Sequence, residues 1–273
     1  MFSTVNYLSM VLLIVAALVL PFSVVIWWLK TRHEKITTML LGAATFFVFA
    51  LVFENIVHVL VLNVLPTGKI ITGSVVLYSV YGALMAGLFE ETGRFITFTT
   101  FLKNRKNRET SITYGIGHGG FEAMYILGLS GVQYLLYAFL IENGKLQGII
   151  DAAAGQGQDV SVLEALPEQI SSLGFSLAGV SIIERVFAMT AHIAFSIIVF
   201  YAVKKSKVWL YALSVLLHAS LDVPAALYQT GVINMYVVEI IIAVYAVVLL
   251  AVVYNVLYKK DIAVPESINA EVS

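Results

Sequence analysis

Cysteine is absent from the 273 residues, proline occurs five times, and only 12% of the residues carry charge. Without cysteine there is no disulfide and no thiolate metal site, so any metal would have to be held by His, Asp or Glu. A soluble domain carries about 25% charged residues. Half that share, with 60% apolar residues and a mean hydropathy of +0.91, excludes a water-soluble globule and excludes intrinsic disorder. A net charge of −1 and a pI near 6.5 give no sign of a nucleic-acid partner.

What the sequence has is long apolar runs. A membrane-crossing helix needs roughly 20 mostly apolar residues. Seven stretches meet that length: about 5–28, 37–62, 74–101, 111–140, 173–203, 208–228 and 233–257. The expected fold is an all-α polytopic membrane helical bundle of about seven transmembrane helices, forming one integral membrane domain over 1–273. The longest connection, 142–172, is polar and acidic. Within it Val162, Leu163, Leu166 and Ile170 recur at helical spacing, which predicts a short interfacial helix.

Basic residues set the orientation. Lys30, Arg32 and Lys35 lie in the first connection; Lys103, Arg105, Lys106 and Arg108 in the third; Lys204, Lys205 and Lys207 in the fifth; Lys259 and Lys260 in the tail, 259–273. These are 12 of the 16 basic residues, and alternating spans put all of them on one side. The expectation is an outer N-terminus, a cytoplasmic C-terminus, a loop 142–172 outside the cytoplasm, and a cell-membrane protein surrounded by the lipid bilayer. The first span lacks a basic flank before it and is too long for a signal segment, so it is expected to be retained.

An ionisable side chain inside hydrocarbon is expensive and asks for a partner or a function. Counted from the basic clusters, Glu90 is 13 residues before Lys103, His118 is 10 after Arg108, His192 is 12 before Lys204 and His218 is 11 after Lys207. At 1.5 Å per residue all four lie about 15–20 Å from the basic end. One acid and three imidazoles thus share a level on four spans. Glu54, with His58 one turn on, and Glu239 lie nearer the opposite end. His118 and Glu122, His218 and Asp222, and Glu90 and Arg94 are each four apart and share a helix face. Glu91 with Arg94, and Glu184 with Arg185, read as mutually neutralising pairs. The glycines of GIGHGG around His118 allow two readings: close helix packing, or a thin helix beside a cavity.

Two chemistries fit these residues. In one, three imidazoles hold Zn²⁺ with an open water position. In the other, no metal is bound, a Glu activates water and imidazoles stabilise the oxyanion. Either hydrolyses an amide. Glu122 and Asp222 are placed to fix imidazole tautomers.

The order Glu90-Glu91-x-x-Arg94, Tyr114-x-x-x-His118-x-x-x-Glu122, His192, His218-x-x-x-Asp222 resembles the superfamily of type II CAAX prenyl endopeptidases, bacterial CPBP/Abi proteins and PrsW. The GHGGFE stretch is of the kind found in its YhfC branch. The resemblance covers about 74–228. It implies an intramembrane endopeptidase with a membrane-protein or peptide substrate and a bacterial plasma-membrane location. It carries the catalytic roles onto Glu90, His118, His192 and His218, with Glu91, Arg94, Glu122 and Asp222 in support. If a metal is bound, the implied ligands are His118, His192 and His218. Arg94 stands one residue closer than in the CAAX pattern, and Asp222 replaces the usual Asn, which points away from prenylated substrates. Two other functions use the same buried charges: a proton- or ion-coupled transporter, and a non-catalytic membrane scaffold.

Overall fold

The computed structural model describes residues 1–261; of the expected tail 259–273, residues 262–273 lie outside the described residues. Among the described residues every regular element is helical. Helix α1 spans Thr4–Arg32. Helix α2 (Ile36–Phe46) continues through a π-helical stretch Phe47–Glu54, a single turn α3 (Asn55–His58) and a second π-helical stretch Val59–Val64. Then follow α4 (Thr67–Thr72), α5 (Val75–Thr99), α6 (Glu109–Glu142), α7 (Leu146–Gly155), α8 (Ser161–Ser172), α9 (Phe175–Lys204), α10 (Val208–Gln229) and α11 (Met235–Val253), the last extended by a π-helical turn Tyr254–Tyr258.

The chain is an all-α, multi-pass membrane bundle. Among the described residues six helices are long and apolar enough to cross a membrane: Thr4–Arg32, Ile36–Val64, Glu109–Glu142, Phe175–Lys204, Val208–Gln229 and Met235–Tyr258. The seventh expected span corresponds to α5. Its 25 residues are long enough, but Glu90, Glu91 and Arg94 dilute its apolar character. The expected interfacial helix corresponds to α8, where Leu166 and Ile170 are buried. Helices α4 and α7 come from segments read as connections.

The chain divides into two compact units, Met1–Phe22 with Ala123–Val186, and Ser23–Glu122 with Phe187–Ser273. In the first, Leu146, Ile150 and Leu166 pack together, and the Asn6 amide donates to the carbonyls of Ser171 and Leu173. Glu184 pairs with Arg185.

In the second unit α5 lies along α10, with α2 and its π-helical continuation on another side of α5. The basic connections meet at one end. Asn107 donates to Glu34 at 2.9 Å, Lys204 Nζ to the Lys106 carbonyl at 2.8 Å, and Arg108 Nη1 to the Asp261 carbonyl at 2.7 Å. The side chain of Asp261 pairs with Lys204 and accepts from the Tyr201 hydroxyl. Burial pushes the Asp261 carboxyl up, but Lys204 and Tyr201 outweigh it and hold it below its ordinary 3.8. A depressed folded value means the tie stabilises above that ordinary value and is lost as pH falls through the folded one. Asp261→Asn is expected to lower the melting temperature near neutral pH and to leave it unchanged below about pH 2; equal losses at both would show that the charge is not what matters.

Candidate functional site

Segments of four helices bring the buried polar residues together within the second unit. Helix α5 supplies Glu90, Glu91 and Arg94; α6 supplies His118 and Glu122; α9 supplies His192; α10 supplies Ser214, His218 and Asp222. The helices approach closely because small residues leave room. A Cβ on Gly117 would collide with the backbone of Met39, and one on Gly42 with the Tyr114 carbonyl. Gly115 and Gly119 face the backbone of α9 at Ile193 and Met189. The GIGHGG run is therefore close packing that fixes His118 against α2 and α9. Gly117→Ala is expected to destabilise the fold by about 1–3 kcal/mol, read as a lower melting temperature in detergent; an unchanged value would mean α2 and α6 are free to part.

Glu91 and Arg94 form the floor. Both are fully buried, and Arg94 Nη1 bonds Glu91 Oε1. Glu91 also accepts from Ser214 Oγ at 2.6 Å and meets His218 Nδ1 at 2.7 Å. Arg94 Nη2 reaches His192 Nδ1 at 2.6 Å and Glu90 Oε2 at 3.6 Å. Glu90 Oε2 in turn meets His118 Nε2 at 2.8 Å, and Glu122 Oε2 bonds His192 Nε2. His218 Nε2 lies 3.5 Å from Asp222 Oδ2. Phe195 stacks on His218 with centroids 4.6 Å apart, and the Phe46 edge meets the His118 ring at 5.3 Å, so apolar walls close two sides.

These contacts assign the tautomers. A guanidinium only donates, so His192 Nδ1 presents its lone pair and Nε2–H points to Glu122. His218 Nδ1–H points to Glu91, which leaves the lone pair of Nε2. His118 Nε2–H points to Glu90, and its buried Nδ1 has no hydrogen-bond partner. His218, with Nδ1–H on Glu91 and the Nε2 lone pair open, has the arrangement that metal-ligating histidines adopt, while the His192 Nδ1 lone pair accepts from Arg94.

Among the described residues, Glu90, His192 and His218 form the group whose ligand atoms lie within 4.8 Å of one another. Two atoms on a tetrahedral zinc at about 2.1 Å stand about 3.4 Å apart; Glu90 Oε2 and His192 Nδ1 are 3.6 Å apart. Four carboxyls, on Glu90, Glu91, Glu122 and Asp222, gather around one guanidinium, a donor set suited to a cation. The residues fit a divalent metal. The set differs from the three imidazoles expected from the sequence: Glu90 is in it, and His118 faces Glu90 instead. Glu122 bonds His192 of α9 rather than His118 of its own helix.

A family model described as the YhfC intramembrane metalloprotease matches residues 15–242. A Bacillus subtilis (strain 168) protein, "Uncharacterized membrane protein YhfC", is 37% identical over 234 residues, covering 84% of this chain and 88% of that protein. No solved structure matches at a significant level.

Proposed function

The chain belongs to the YhfC intramembrane metalloprotease family, and from that premise we propose that it is a zinc-dependent endopeptidase cutting a membrane-bound polypeptide within the bilayer. The observation that carries this reading is the convergence of Glu90, His192 and His218 from three helices into one buried group. Glu90, His192 and His218 would hold the metal, with the Arg94 guanidinium withdrawn from His192 Nδ1. A zinc ion held there would activate water for attack where bulk water is scarce.

The remaining residues orient groups and move protons. Glu122 holds Nε2–H of His192, and Glu91 holds Nδ1–H of His218, so both rings keep one tautomer and one direction. Arg94 neutralises Glu91 and keeps it ionised for that task. His118 is tied by Nε2–H to Glu90 and keeps an unpartnered Nδ1 lone pair. It would serve as the proton carrier: Nδ1 would take up the one proton that water releases as it adds to the peptide carbonyl and give it to the departing amine. Peptide plus water gives acid plus amine, and the catalyst is regenerated. Phe195 and Phe46 exclude water from the rings they cover.

The test compares membrane-proteome N-terminal peptides from cells making the wild type and cells making Glu90→Gln at equal levels. New N-termini only with the wild type are expected, and they identify substrates. Identical sets, with the variant inserted and a substrate co-expressed, would leave a transporter or a scaffold as the function.

A further inference from the structure

The polar cluster is sealed on one side and open on the other. Glu91 and Arg94 are fully buried, whereas the side chains of Asp222, His58 and Glu54 are 32%, 27% and 12% exposed. Asp222 lies in the span Val208–Gln229, and Glu54 and His58 in the span Ile36–Val64. Carboxyl and imidazole groups turned toward acyl chains are costly, so surface of this kind inside a span faces water or a polar lining.

The exposed residues are connected. His58 Nε2 meets Glu54 Oε1 at 3.1 Å, and His58 Nδ1 meets the Tyr81 hydroxyl at 3.0 Å. The stretch Phe47–Glu54 packs on α5, and α5 packs along α10, so Glu54 and Asp222 lie on elements that flank the helix carrying Glu90 and Tyr81. Their heights rise in order. Asp222 is one turn beyond His218, away from the basic end. Tyr81 is nine residues before Glu90 on α5, about 13 Å along the helix, and six residues from its start at Val75, about 9 Å. The series Glu90, Asp222, Glu54, His58, Tyr81 thus climbs from the buried cluster to the end of α5 next to α4. Glu54 ends one π-helical stretch, Phe47–Glu54, and a second, Val59–Val64, begins directly after His58. Such stretches are rare and concentrate at functional sites.

We propose that Glu54, His58 and Tyr81 line a water-filled path from the α4 end of the helices to Asp222 and Glu90. Its use rests on the hydrolase reading above: each turnover consumes one water, which has to reach a site walled by apolar helices. The His58 ring, bonded on both nitrogens, passes protons along the same path by exchanging its tautomer. The path opens on the membrane face opposite the basic connections.

The chain has no cysteine, so single cysteines can be read without background. Glu54→Cys, His58→Cys, Tyr81→Cys and Asp222→Cys are each made in the full chain. Ile56→Cys and Val59→Cys, on the same helix and exposed, serve as lipid-facing controls. A charged, membrane-impermeant methanethiosulfonate is added to each side of sealed vesicles. The thiolate is the reacting form and is suppressed in hydrocarbon, so the path positions are expected to react at least about thirtyfold faster than the controls, and only from the face opposite the basic connections. Rates at positions 54, 58 and 81 equal to the controls, or reaction only from the basic face, would overturn the path. Four positions on three helices keep the test open if one variant fails to insert. Labelling needs no catalysis. Labelling without Glu90-dependent cleavage keeps the path and removes its hydrolytic use; cleavage without labelling removes the path alone.

Discussion

Glu91→Ala is expected to cost about 3–5 kcal/mol of folding stability, the loss that follows when one partner of a buried ion pair is removed. Glu91 and Arg94 are both fully buried, and Glu91 also takes hydrogen bonds from Ser214 and His218. Its removal leaves the guanidinium with Glu90 at 3.6 Å as its remaining carboxylate. Arg94 then has reason to move toward Glu90, and His218 loses the acceptor that fixes its ring. Glu91→Gln keeps an oxygen for His218 but not the charge, so it should fall between. The double variant Glu91→Met with Arg94→Leu should recover part of the loss, because a buried pair can be replaced by apolar residues far more cheaply than it can be broken. Thermal or denaturant unfolding in detergent measures all three. A single variant within about 1 kcal/mol of wild type would mean that water reaches Arg94 and that the floor is not sealed.

The spans were legible because hydrocarbon imposes a length and an apolarity that few other structures share. The apolar run 37–62 marks the span Ile36–Val64, yet nothing in FVFALVFE marks the π-helical stretch that ends at Glu54. Depth was legible too: counting from basic clusters put Glu90, His118, His192 and His218 on one level, and the structure brings them together. Depth is only one coordinate. It does not say which way each side chain points around its helix, and that is where the expected ligand set and the observed group differ. His118 shares the level but donates to Glu90. The i,i+4 rule placed Glu122 beside His118, while the bond it makes is to His192 of another helix. Arg94 reaching His192, 98 residues away, has no signal in a single sequence. The glycines were ambiguous for a related reason: a bare helix face suits a cavity or a neighbour equally, and only the backbone of Met39 against Gly117 decides it.

Zinc content and rate should separate when the histidines are changed one at a time. His192→Ala and His218→Ala remove ligands and are expected to lose zinc and activity together. His118→Ala removes the proton carrier only: zinc stays bound, while the rate falls by about 10²–10⁴-fold, the usual range for a general acid–base group. Glu122→Gln keeps the ligands but releases the His192 ring, so zinc affinity should drop by about 10–100-fold. Metal analysis of purified protein after titration against a chelator reads the first quantity, and cleavage of a substrate found by N-terminal profiling reads the second. The contrast between His118 and His192 is the decisive one. Both are buried, both sit at one depth, and their ring centroids are 5.0 Å apart, so a purely structural effect would move them alike. If His118→Ala loses zinc as fully as His192→Ala does, the three imidazoles hold the metal and Glu90 is the base. If it keeps zinc and loses rate, Glu90 belongs to the metal and the proton travels through His118.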